Sequence, residues 1–91
     1  MSVKVKIFYS ELRGAIGEPG DVWADGTTVG ECLEDLVRRH PGVEKLMFDS
    51  RGKLLKRVYV FVNAEGMQKA EFTRPVSDDD ELIVAVLASG G

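Results

Sequence analysis

The chain lacks most of the features by which secreted, membrane or nucleic-acid-binding proteins are recognised. It has one cysteine in 91 residues, which excludes an internal disulfide. Its net charge is −3, so no surplus of positive charge favours nucleic acid. No stretch approaches the roughly 18 apolar residues that a membrane span requires. The first residues lead straight into a strand-like pattern without a signal peptide's apolar region, so we expect a cytoplasmic protein.

Candidates for catalytic or metal-binding chemistry are also few. Cys32 lies in the apolar stripe of a predicted helix, where a cysteine usually packs as a small hydrophobic side chain. His40, the one histidine, needs no role beyond the end of that helix, where a cation is favourable. The acidic run at residues 78–81 lacks the alternation and the glycine of a calcium-binding loop and indicates a solvated turn. The sequence therefore predicts no bound metal and no bound cofactor.

What the sequence does contain is the pattern of a small β-sheet. Four stretches are strand-like, and they cover residues 3–9, 21–24, 57–62 and 82–87. A further short strand is expected near residues 67–71, and a short helical turn near residues 46–48. Residues 10–20 contain three glycines and a proline and are predicted to form a long turn. The first and last strands are expected to lie side by side as a parallel central pair.

The clearest helix is predicted to begin at Thr28. Thr28 can serve as the N-cap, and Glu31 three residues later completes a capping-box pattern. The apolar positions repeat with helical spacing and form one face: Val29, Cys32, Leu33, Leu36 and Val37. Two acid-to-base pairs, four residues apart, are predicted on the exposed side: Glu34–Arg38 and Asp35–Arg39.

These elements predict one α+β domain, a mixed sheet with one main helix on one face, spanning residues 1–91 with a flexible tail at 88–91. The inward side chains of the strands would be Val3, Val5, Ile7, Val58, Val60, Val62, Leu82 and Val84. By the same parity, an outward apolar patch would contain Tyr59, Phe61, Ile83, Ala85 and Leu87. We interpret this patch as a docking face for a partner protein. The alternatives are that a loop covers it or that the last strand is buried on both sides. The acidic chain would suit partners with positively charged docking faces.

The last strand is followed by Gly90 and Gly91 and a free carboxylate. Two glycines add nothing to a core and cost backbone entropy to order, so a frayed terminus is the simplest interpretation. Because the rest of the chain offers no other chemistry, the carboxylate of Gly91 is the candidate reactive group. A carboxylate must first be activated, and we expect another protein to do this by forming an acyl-adenylate from ATP. Only a backbone without Cβ atoms can pass through a narrow activating channel.

The order and spacing of these features resemble the ubiquitin-like sulfur carriers of the ThiS/MoaD superfamily, which have the β-grasp fold. The matching segments span essentially the whole chain and comprise residues 3–9, 27–33, 39–41, 58–63, 78–82 and 90–91. The resemblance implies that Gly91 is adenylated by an activating enzyme of the MoeB/ThiF type. It also implies conversion to a thiocarboxylate that donates sulfur to a biosynthetic enzyme.

Length and the helix ending at residues 39–41 are more similar to MoaD than to ThiS. This resemblance implies molybdopterin as the first product, with a MoaE-like large subunit of the synthase as partner and cysteine or thiamine synthesis as alternatives. The longer segment at residues 42–63 is similar to that of carriers for cysteine synthesis and of archaeal protein modifiers. Conjugation to lysines through Gly91 is therefore the second hypothesis, and a non-catalytic interaction domain is the third. In none of them is the chain an enzyme on its own.

Overall fold

A computed structural model of the chain describes residues 2–17, 22–63 and 71–86. Its strands are β1 (Ser2–Phe8), β2 (Val22–Asp25), β3 (Val58–Val62) and β4 (Glu81–Val86). Its helices are α1 (Ser10–Ile16), α2 (Val29–Arg39) and the single turn α3 (Glu44–Met47), which follows a 3-10 turn at Pro41–Val43. The predicted helical turn near residues 46–48 thus corresponds to α3. The further strand expected near residues 67–71 falls almost entirely outside the described residues, as do Leu87 and the tail at 88–91.

The four strands form one mixed sheet in the order β2-β1-β4-β3. β1 and β4 run parallel in the centre, and both outer strands pair antiparallel with their neighbours. Val84 is opposite Ile7 on one side and Val60 on the other, so β4 is hydrogen-bonded along both edges. The predicted parallel central pair and the α+β class are confirmed.

The core lies between the sheet and α2. All eight predicted inward side chains of the strands are buried, as is typical of β-branched and apolar residues on the covered face of a sheet. On α2, the side chains of Val29, Cys32, Leu33 and Leu36 are buried, and Val37 packs partly against them. The alternation of β1 and the helical spacing of α2 therefore predicted which face each element buries.

The long turn predicted at residues 10–20 is wrong, because residues 10–16 form α1. Leu12 and Ile16 are four residues apart and both are buried, so this short helix is stabilised by tertiary packing. Gly17 ends it in the left-handed conformation, with φ of 76°, and donates its N–H to the carbonyl of Arg13. The glycine is thus a helix C-cap and not a turn residue.

The predicted N-terminus of α2 is confirmed, with one difference. The Thr28 hydroxyl oxygen accepts the N–H of Glu31 at 3.2 Å. The Glu31 carboxylate accepts from Thr27 instead of Thr28, at 2.8 Å from both the backbone nitrogen and the hydroxyl. These hydrogen bonds from Thr27 lower the pKa of Glu31.

The predicted exposed position of Asp35 is wrong, because its side chain is only 2% exposed. Asp35 forms the predicted ion pair with Arg39 at 2.9 Å and also accepts the backbone N–H of Asp25 at 2.9 Å. Arg38 donates to Asp35 instead of to Glu34. Burial raises the pKa of Asp35, but the hydrogen bonds from Asp25 and Arg38 and the charge of Arg39 outweigh it and hold the pKa below its usual value. The carboxylate therefore ties α2 to the end of β2.

Candidate functional site

The outward face of the sheet carries the residues predicted to dock a partner. Tyr59 and Phe61 on β3 are opposite Ala85 and Ile83 on β4. The two aromatic rings stack with centroids 6.1 Å apart and an interplanar angle of 21°. All four side chains are partly exposed, whereas the intervening positions of both strands point into the core. The predicted strand parity is confirmed for these four residues. Leu87 lies outside the described residues.

Phe8 belongs to the same patch and was missed by the sequence analysis. Its side chain is 64% exposed, and in the parallel pairing of β1 with β4 it lies opposite Ala85. The parity of β1 could have revealed it, since Phe8 continues the outward series of Lys4 and Lys6. We call Phe8, Tyr59, Phe61, Ile83 and Ala85 the apolar patch.

The apolar patch lies at the C-terminal end of β4. Phe8, Ala85 and Tyr59 form one row across three strands, one residue before β4 ends at Val86. Because β4 runs toward this row, Val86, the last described residue of the chain, lies beside the patch. Both glycines lie outside the described residues, so their role stays a prediction.

The charged side chains that border the apolar patch are mainly cations. Lys6 is opposite Ile83, and its Nζ lies 3.9 Å from a carboxylate oxygen of Glu81. Arg57 is exposed and immediately precedes β3. A hydrogen bond from the Tyr9 hydroxyl to Glu11 raises the pKa of Tyr9, and the nearby positive charge of Arg57 partly opposes this rise.

Hydrogen bonds around Asn63 fix the beginning of β4. Asn63 has a φ of 60°, a conformation that asparagine tolerates better than most residues. Its backbone N–H donates to the carbonyl of Glu81 at 2.7 Å, its side-chain oxygen accepts the N–H of Glu81, and its side-chain nitrogen donates to Asp80. Asp80 also accepts the N–H of Ser77, and these bonds from Asn63 and Ser77 lower the pKa of Asp80. The predicted acidic turn is therefore an anchor for β4.

Cys32 and His40 do not form a catalytic pair. The Cys32 side chain is buried in the core, and burial, followed by the charge of Asp35, raises the pKa of its thiol. It packs as a small hydrophobic residue, as predicted. His40 caps α2 through its backbone N–H, which donates to Leu36. Within residues 2–17, 22–63 and 71–86, no group of three or more histidine, cysteine or acidic side chains could hold a metal ion. In the same ranges no helix is long and apolar enough to cross a membrane.

The opposite side of the molecule has an open groove between α2, α3 and residues 48–52, with a volume of about 790 Å³. The apolar side chains at the groove are Val37 and Phe48. The charged residues are of both signs: Glu34, Glu44, Lys45, Asp49 and Arg51. No nucleophile is paired with a base there, so the groove provides no catalytic arrangement.

Comparison with known proteins gives consistent similarities over the whole chain. The ThiS family model matches residues 7–91. The chain is 34% identical over 82 residues to small archaeal modifier protein 1 of Haloferax volcanii, covering 90% of each protein. The crystal structure of that modifier superposes with a TM-score of 0.83 at 30% identity over 100% of both chains. A chain of the Amycolatopsis orientalis BexX/CysO complex gives a TM-score of 0.77 at 29% identity, covering 98% of this chain and 99% of that one.

Proposed function

This chain belongs to the ThiS family of ubiquitin-like carriers and modifiers, and we propose that it is a sulfur carrier whose reactive group is the carboxylate of Gly91. The carboxylate attacks the α-phosphorus of ATP in the active site of a MoeB/ThiF-type enzyme, forming an acyl-adenylate and releasing pyrophosphate. Hydrosulfide then attacks the acyl carbonyl and displaces AMP, and the thiocarboxylate that results donates sulfur to a biosynthetic enzyme.

The observation that carries this proposal is the position of the apolar patch beside the end of β4. A partner that covers the patch also contacts the end of β4, where the C-terminal tail begins. The remaining residues need only reach from there into an active site. The family match also extends to residue 91, and so includes both glycines. The catalytic groups belong to the partner, in keeping with a family of small carriers and not of catalysts.

The acceptor that we propose first is a MoaE-like large subunit of molybdopterin synthase, with enzymes of cysteine or thiamine synthesis as alternatives. The similarity to a chain of the BexX/CysO complex supports a carrier that works while docked on a larger partner. The same carboxylate chemistry serves each acceptor, because only the enzyme that receives the sulfur differs.

Protein modification is the second candidate, and the 34% identity to small archaeal modifier protein 1 favours it. Here a lysine amine attacks the activated carbonyl of Gly91, an amide bond forms, and the activating group leaves. The two functions share the adenylation step and differ in the nucleophile that follows. One chain could therefore serve both.

Adenylation tests the shared step. We expect the MoeB/ThiF-type enzyme of the same organism to catalyse ATP–pyrophosphate exchange with the full chain and not with a variant lacking Gly90 and Gly91. Circular dichroism should show the same fold for both. Gly91→Ala keeps the length and the carboxylate but adds a Cβ, so it should slow the exchange if the channel is narrow. Normal exchange with the truncated chain would contradict the proposal.

Mass spectrometry of protein from its own cells separates the two candidates. A sulfur carrier gives an intact mass that corresponds to replacement of one oxygen by sulfur. A modifier gives lysine peptides that carry a Gly-Gly remnant. A native protein that shows neither product would favour the third hypothesis, an interaction domain without covalent chemistry.

A further inference from the structure

The border of the apolar patch is cationic although the chain as a whole is acidic. Among the described residues of the sheet, the charged side chains nearest the patch are three cations and one carboxylate: Lys4, Lys6, Arg57 and Glu81. These four side chains have a surplus of two positive charges, whereas the chain carries a net charge of −3; one further carboxylate, that of Glu11 on α1, is hydrogen-bonded to Tyr9 nearby. The remaining surface therefore carries a net charge of −5. The charge at this border is therefore opposite in sign to the net charge of the chain.

Two of these cations are placed to meet a partner. Lys6 is on β1, two residues before Phe8, and lies opposite Ile83 of β4; its side chain is 44% exposed. Its ion pair with Glu81 is long and solvent-exposed, and such pairs contribute little energy. Arg57 is exposed on the other flank, next to Tyr59 and the end of β4. Any surface that covers the Phe8–Ala85–Tyr59 row must come close to both.

We propose that the partner docks on this face with an apolar surface bordered by carboxylates, which lie against Lys6 and Arg57. Complementary charges at the rim of an interface accelerate association, and like charges there oppose it. This inference rests on the proposed function, because it takes the activating enzyme as the partner. It replaces the expectation from composition that the partner's docking face is positively charged.

Electrostatic screening explains why the charges at the border of the patch affect association more than the net charge of the chain does. At physiological ionic strength the screening length is about 8 Å. The molecule is 27 Å across its shortest dimension, so charges on the helix side are screened from a partner on the sheet side. The partner in this proposal is a folded protein, because the proposed function requires an activating enzyme to bind the carrier.

The test compares two variants with the same net charge. Lys6→Gln with Arg57→Gln removes two cations from the border of the patch. Lys45→Gln with Arg51→Gln removes two exposed cations from the groove on the helix side. We expect the first variant to associate roughly tenfold more slowly with the purified activating enzyme at physiological ionic strength, and the second to change by less than about twofold. Stopped-flow fluorescence measures both.

A third variant tests the sign of the effect. Glu81→Gln removes the one carboxylate among the four charged side chains of the sheet border and should accelerate association about twofold or more. A substitution that only disturbed the fold would slow association instead. Equal effects of the two double variants, or slower association of Glu81→Gln, would overturn the proposal, and so would a failure of the wild-type chain to bind this enzyme. If the wild type binds with the expected charge dependence but is not adenylated, the proposed function fails and the docking inference stands.

Discussion

Two neighbouring residues of β1, Ile7 and Phe8, give a direct test of which side chains hold the fold and which meet a partner. Ile7 is 5% exposed and opposite Val84 in the core, whereas Phe8 points outward into the apolar patch. Ile7→Ala removes about three buried carbon atoms, each contributing about 0.8 kcal/mol, and it leaves a cavity as well. We expect a loss of about 3 kcal/mol in the free energy of unfolding, which lowers Tm by roughly 12–24 °C in a domain of this size.

Phe8→Ala should show the opposite pattern. The aromatic ring is largely in solvent, so its removal should change the free energy of unfolding by less than about 0.5 kcal/mol. An aromatic side chain near the centre of an interface often contributes 2 kcal/mol or more to binding, so the affinity for the activating enzyme should fall by at least roughly tenfold.

Urea unfolding measures the first quantity, and titration with the activating enzyme measures the second. At a low temperature at which the Ile7→Ala variant remains folded, it should bind with nearly wild-type affinity, because the side chain of Ile7 does not reach the outward face. The reasoning is refuted if Phe8→Ala destabilises the chain by more than about 1 kcal/mol, since another segment would then cover the patch. It is equally refuted if Phe8→Ala binds as the wild type does.

Three further predictions concern α2. Asp35→Ala should cost about 1–3 kcal/mol in urea unfolding, because it leaves the N–H of Asp25 without its acceptor and removes the ion pair with the half-exposed Arg39. Since the folded pKa of Asp35 lies below its unfolded value of about 3.9, its stabilisation is complete at neutral pH and is lost as the pH falls through the folded pKa. Asp35→Asn should therefore lose less stability than the wild type on acidification below about pH 4, and an unchanged slope would contradict this assignment. Gly30→Ala should destabilise by about 1 kcal/mol despite its better helix propensity, because the new Cβ would lie 3.1 Å from the carbonyl oxygen of Phe72, and a rise in Tm would disprove that contact. Thr28→Ala should cost about 1 kcal/mol by loss of the N-cap, with Thr28→Ser as the control that restores it.

The sequence was most informative where the spacing of apolar residues along one element determined which side chains are buried. The alternation of Val3, Val5 and Ile7 and the helical spacing of Leu33 and Leu36 each depend only on local geometry, and all five side chains are buried as predicted. Parity also predicted the outward position of the residues on β3 and β4. The same rule on β1 places Phe8 outward, in series with Lys4 and Lys6.

The errors arose where a residue's role depends on a distant segment. Gly14 and Gly17 suggested a turn, but burial of Leu12 and Ile16 against the rest of the chain stabilises a seven-residue helix that would be marginal alone. Asp35 has the spacing of an exposed ion pair, yet the end of β2 packs over it and supplies a backbone donor. Neither fact can be obtained from a helical or strand period, because each depends on which segments the fold brings together.

The position of β4 links the anchoring of the chain to the docking of a partner. Leu82 and Val84 hold the strand to the core, while Ile83 and Ala85, between and after them, face outward in the apolar patch. Because β4 is hydrogen-bonded to β1 on one side and β3 on the other, its outward residues cannot shift along the sheet without breaking both ladders. A partner that recognises the patch therefore also recognises a fixed starting point for the tail. Under the proposed function, the sheet therefore sets the point from which the last five residues reach an active site.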